Sequence, residues 1–246
     1  TNSGTLTLSG PNSYIGGTTL NKGALQIDDA SALGAGTLSF GNGTQLTVNH
    51  GGTTTNALYL TGNNQTIYRN PATPTFTGSI TTDGSGGALT FGANEDSGVN
   101  NLTFSGSTIT LGVKTFAVTG TTVDNEAQAA NTRVTLTNVT LTTTSGNVDV
   151  GRGTLEIAGA TGLAIGGQLR TGAGGDWARF VMAAGTAVNA TGGVDFAANG
   201  VVASSLWLNG GTLTTPYIYG NDYVAQTHVT FNGVTVVATQ DSSDFL

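Results

Sequence analysis

The sequence predicts an all-β solenoid with no significant helix. Three observations carry that reading: the composition, the alternation of apolar with polar residues, and a strand phrase that keeps returning. Among 246 residues there are 39 glycines and no cysteine, and only 9% are charged. Charged side chains normally make up about a quarter of a soluble chain. Here Thr, Ser and Asn keep the surface wet, and with Gly they favour strands and turns over helices. Disordered chains combine low hydrophobicity with high charge. This chain is 37% hydrophobic and charge-poor, so an ordered body is expected.

The alternation is seen at Leu6/Leu8, Leu25/Ile27, Leu38/Phe40, Leu89/Phe91, Leu155/Ile157 and Leu206/Leu208, among others. Two apolar residues flanking one that points the opposite way are the signature of a strand with one buried face. No stretch sustains the i, i+3, i+4, i+7 stripe of a helix. The nearest candidate, 124–131, reads as a loop.

The recurring phrase is Gly4-Thr5-Leu6-Thr7-Leu8, which returns as Gly36-Thr37-Leu38-Ser39-Phe40, Gly153-Thr154-Leu155-Glu156-Ile157 and Gly211-Thr212-Leu213. Short strands repeating as a fixed phrase indicate coils that stack, each strand on its counterpart below. At about 20 residues per coil the chain makes about 12 coils, each rising about 4.8 Å. Leu6/Leu8 and Leu25/Ile27 then lie one above the other in a core column, with Pro11-Asn12 and Gly16-Gly17 as corners between them. The whole of 1–246 reads as one continuous solenoid. A longer loop or irregular insertion is expected around 68–86, where Pro71 and Pro74 cannot donate to a ladder.

Composition also excludes partners. A net charge of -7 and a pI near 4.4 argue against nucleic acid or an anionic membrane. The seven basic residues are scattered rather than striped. No apolar run approaches the roughly 18 residues of a membrane helix, so this segment is not expected to be membrane-inserted. The chain opens directly on a strand phrase without a signal peptide, as a mature or excised portion of an exported protein would. Without cysteine there is no disulfide or thiolate metal site.

The opening residues Gly4-Thr5-Leu6-Thr7-Leu8-Ser9-Gly10, Asn12, Tyr14, Gly16-Gly17-Thr18-Thr19 and Gly23-Ala24-Leu25-Gln26-Ile27 resemble the autotransporter-associated β-strand repeat of bacterial passenger regions. Asp29-Ala30-Ser31-Ala32-Leu33-Gly34 is similar to the connector that follows that unit. Leu206-Trp207-Leu208-Asn209-Gly210-Gly211-Thr212-Leu213-Thr214 is a second match, and the stretch from Phe231 to Leu246 resembles the closing phrase. The resemblance implies a right-handed parallel β-helix, extracellular or on the bacterial cell surface. Its link to the outer membrane would come through a region outside this chain. No single activity follows, because passenger helices serve as stalks, adhesins and scaffolds.

Catalysis is not expected. A lyase or hydrolase needs carboxylates converging on one face with a basic group beside them. The acidic pairs Asp28/Asp29, Glu95/Asp96 and Asp124/Glu126 lie in Gly-, Ser- and Asn-rich stretches and read as solvated corners. Only Asp124/Glu126 with Arg133 could be assembled into such a set. Gly174-Gly175-Asp176 matches a calcium-roll fragment but occurs once. His50 and His228 stand alone. No catalytic residue, metal site or cofactor is assigned.

The remaining candidates are aromatic. Trp207, Tyr217, Tyr219 and Tyr223 would lie on adjacent coils, and Trp207 points outward if Leu206 and Leu208 are core. Such rings either stack on sugar faces, or cover apolar surface and subunit contacts. The expected function is a non-catalytic structural segment of an exported protein: a stalk, an adhesin scaffold or an end-to-end filament subunit. Its expected partners are other copies, head-to-tail through open solenoid ends, and surface glycans or other cells. A carbohydrate-binding or carbohydrate-cleaving β-helix is the alternative.

Overall fold

A computed structural model describes residues 4–70, 73–93, 100–119, 132–172, 177–196, 203–220, 227–241 and 245. Among them, short strands stack into three parallel sheets of ten, ten and eight strands. A full coil touches all three. Val148–Val150 lies in the first sheet, Gly153–Ala158 in the third, and Gly162–Ile165 in the second; Leu169–Thr171 then returns to the first. This is a parallel β-solenoid, as the repeating phrase predicts. No helix among the described residues is long and apolar enough to cross a membrane.

The register follows from the sequence phrase. Leu6 pairs with Leu25 and Leu8 with Ile27, and the same columns continue to Leu46 and Val48. A parallel register slip of one residue would turn every one of these side chains outward, so burial of one face fixes it. The longest sheets hold ten strands rather than the roughly 12 coils expected at about 20 residues each. The reason is coil length. The first coil returns between Leu6 and Leu25, whereas further along the chain travels from Ala117 to Asp149 before pairing again. Ten strands at about 4.8 Å make a stack about 45 Å tall.

The third sheet begins only at Thr53–Thr54. Before it, the connector forms that side with turns. Asp29 Oδ1 accepts from the Ser31 amide at 2.8 Å, and Ala32 and Leu33 are buried. Asn12 Nδ2 donates to the Ala32 carbonyl at 2.8 Å, so the polar residues of the opening phrase tie it to the next coil. Gly34 has φ +58°, and a Cβ there would lie 2.2 Å from the Tyr14 carbonyl oxygen. No side chain fits. Within 68–86 the strands Thr75–Phe76 and Ile80–Thr82 take places in the third and second sheets, and Phe76 and Ile80 are buried.

The interior is a set of apolar columns. At mid-height Phe76 stacks on Phe104 at 5.5 Å between ring centroids, Phe104 meets Phe91 edge-on at 5.2 Å, and Phe91 meets Phe116 at 4.7 Å. All four are buried, each burial contributing about 1.5–3 kcal/mol. The corners between second and first sheets stack as well. Asn64 Oδ1 accepts from the Ala88 amide at 3.0 Å, and Asn42 Oδ1 from the Asn64 amide at 3.3 Å.

Candidate functional site

With the core sealed, chemistry must sit on outward residues. On the first sheet, Asp149, Arg170, Asp195 and Tyr219 are paired in sequence up one outward column. Alternation puts them there: Val148, Val150, Leu169, Val194 and Ile218 beside them are buried in the core.

Asp149 and Arg170 form a two-point ion pair, Nε to Oδ1 at 2.7 Å and Nη2 to Oδ2 at 2.5 Å. The fork geometry of a guanidinium matches a carboxylate in this way. Hydrogen bonding to Asp149 raises the Arg170 pKa, against the opposing effect of burial. Asp195 lies one coil further on and is left out of that pairing. It has no hydrogen-bond partner among the described residues, and its Oδ1 is buried. Desolvation pushes its pKa up, and the nearby Arg170 charge only partly counters this.

Beside Asp195 is a shallow cleft of about 350 Å³ lined by Gln168, Asp195, Tyr217 and Tyr219. Tyr217 is locked. Its hydroxyl donates to the Gly192 carbonyl at 2.7 Å and accepts from Gln168 Nε2 at 2.8 Å. Its ring lies against Gly193, where a Cβ would be 2.2 Å from a ring carbon and φ is +99°. The Gln168 backbone is held in turn by Asn147 Oδ1, which accepts its amide at 2.8 Å. Tyr219 is different: it is 59% exposed, with its side chain open to solvent.

Of the four aromatic residues singled out in the sequence, Tyr217 and Tyr219 share this cleft. Trp207 is on the third sheet, half-buried, with the Arg179 guanidinium 4.2 Å from its ring centroid. It lies on another face of the solenoid from Tyr219. Tyr223 lies outside the described residues. Asp195, Arg170 and Gln168 escaped sequence reasoning. The signal that could have found them is the Val-Asp-Val, Leu-Arg-Thr, Val-Asp-Phe and Ile-Tyr-Gly series, which places four polar residues at one position of successive strands.

The other candidates have structural duties or lie elsewhere. Arg133 Nη1 pairs with Glu156 Oε2 at 2.5 Å, while Asp124 and Glu126 lie outside the described residues. His50 is buried in a corner: the Gly52 amide donates to its Nδ1 at 3.1 Å, and Thr54 Oγ1 lies 3.3 Å from Nε2. His228 is exposed. Among the described residues no three His, Asp or Glu side chains are grouped to hold a metal ion.

Residues 1–27 match the family model described as Passenger-associated-transport-repeat. Within that stretch the strand Thr5–Leu8 and its partner Ala24–Ile27 bound the first circuit. The chain is a β-solenoid whose first circuit matches this repeat. The matched repeat is therefore a unit of shape, one turn of a coil whose apolar residues open the core columns. No curated protein and no solved structure matches the chain.

Proposed function

We propose that this passenger-repeat solenoid is a non-catalytic spacer of an exported, surface-displayed protein, a stalk that carries outward-facing binding residues. The observation that supports it best is the unbroken stacking of parallel strands over one apolar core, from Leu25 and Ile27 to Leu213 and Ile218. Such a body holds its length and resists bending, because each coil is pinned to two neighbours by a ladder on every side. The only charged group of the described residues in the cleft, Asp195, has no second carboxylate lining it, as paired acid–base hydrolysis would need.

Surface display is tested on cells expressing the complete reading frame. Antibody raised against residues 4–241 should label intact cells, and external protease should remove the epitope. Recovery of the epitope only after lysis would contradict the reading.

The outermost described coils expose Leu6, Ile15, Phe231 and Val237. Open parallel edges of this kind pair with a further coil, supplied by a longer polypeptide or by another copy. These exposed residues favour head-to-tail association as a second role. Sedimentation should then show concentration-dependent growth of end-to-end species, and a strict monomer at high concentration would count against it.

A further inference from the structure

We propose that the cleft beside Asp195 binds a saccharide that is neutral or carries an amine, with the exposed Tyr219 ring as its stacking surface. The inference stands apart from the spacer reading, since a scaffold without ligands would be just as stiff.

Four features of the cleft carry it. Tyr219 presents a ring that is 59% exposed at the end of an outward column, with no partner of its own among the described residues. An exposed tyrosine ring offers an apolar surface with a polar tip, suited to a ligand that is itself part apolar and part wet. Asp195 supplies a half-buried carboxylate whose buried Oδ1 has no hydrogen-bond partner among the described residues, a costly arrangement unless something completes it. Tyr217 and Gln168 are fixed by their mutual bond and by Gly192, so the floor is set before any ligand arrives. The Gln168 amide keeps one donor hydrogen and its carbonyl oxygen beyond the bond to Tyr217.

Together these groups both accept and donate. Hydroxyl groups on a sugar do the same, whereas a bare ammonium ion has no use for an amide donor. The column also sets the preferred charge. Arg170 is already engaged at two points by Asp149, so Asp195 gives the cleft its net negative character. Uronate and sulfated sugars should be repelled. An amino sugar should gain from the carboxylate.

The test is titration calorimetry, with nuclear magnetic resonance for weak binding, on the whole chain. Probes are neutral tetrasaccharides built of glucose, galactose or mannose, glucosamine oligomers, galacturonate oligomers and a tetramethylammonium salt. At least one neutral or amino oligosaccharide should bind with a Kd of about 1 mM or tighter. Tyr219→Ala should weaken that binding about tenfold with the melting temperature unchanged, because the ring is exposed. Asp195→Asn should weaken the glucosamine oligomers more than the neutral ones. The proposal is overturned if no sugar binds, if galacturonate binds best, if only tetramethylammonium binds, or if Tyr219→Ala leaves the affinity intact.

Discussion

Lys114 sits two coils above Asn63 in the corner stack, and its ammonium donates to the Asn63 carbonyl at 2.6 Å. It donates as well to Gly86 at 2.6 Å and to Gly62. One fully buried side chain therefore closes three corners along the axis. Burial lowers its pKa, opposed by the charge of Asp83. The neighbouring coil is fitted to it: a Cβ on Gly146 would lie 1.9 Å from the Lys114 carbonyl oxygen.

Lys114→Met keeps the length of the side chain and removes its donors. Three carbonyls then lose their partner at about 1–3 kcal/mol for each that water cannot reach. The variant should lose about 3 kcal/mol in all, a fall of about 6–12 °C in melting temperature for a chain of this size. A thermal melt followed by circular dichroism reads it directly, and an unchanged transition would remove the lysine from the account.

His50 should make the fold acid-sensitive. Burial lowers its pKa from 6.5, more than the charges of Asp29 and Asp28 raise it. The neutral ring is the one that accepts from the Gly52 amide at Nδ1. A group with a depressed pKa in the folded state contributes stability above its unfolded value and loses it as pH falls through the folded value. The contribution of His50 should therefore be complete above pH 6.5 and decline below it. Melting temperatures of the parent and His50→Gln should converge as pH is lowered from 7.5. A gap that stays constant with pH would show that the ring is not titrating.

Asp195 carries the opposite sign. Its pKa is raised above 3.8, chiefly by desolvation. The folded state then favours the protonated acid, so the stabilising contribution is present below pH 3.8 and is lost as pH rises through the folded value. Above its folded value the ionised carboxylate is a burden on the fold. Asp195→Asn should melt higher than the parent at pH 7, and the difference should vanish as pH approaches 3.8. A destabilised variant at pH 7 would mean that the carboxylate is a structural anchor. A binding group retained at a cost in stability is a common trade in functional sites.

The architecture was legible because a solenoid writes itself into the sequence locally. Leu6/Leu8 and Leu25/Ile27 share a column, as their shared phrase implies, and Gly34 and Gly17 mark corners where a neighbouring coil's backbone passes too close for a side chain. Coil number was overestimated because the first circuit is short. Later circuits take more residues, as between the paired positions Ala117 and Asp149. The site was half legible. Tyr217 and Tyr219 stand out by type, but Trp207 lies on another face, since a single coil spreads its residues over three sheets. Asp149, Arg170 and Asp195 are 21 and 25 residues apart along the chain, and only the stacking register makes them neighbours.

That register holds the solenoid together, and the absence of cysteine makes it measurable. Spin labels attached through Thr66→Cys and Tyr219→Cys would sit on one outward column, linked through Thr90, Ala117, Asp149, Arg170 and Asp195. Six coil steps of about 4.8 Å place their Cα atoms about 29 Å apart. Pulsed electron–electron resonance should give one narrow distribution near that distance, widened only by the label arms. A broad distribution, or a separation below about 20 Å, would mean that the strands do not stack coil upon coil at the rise of a parallel sheet.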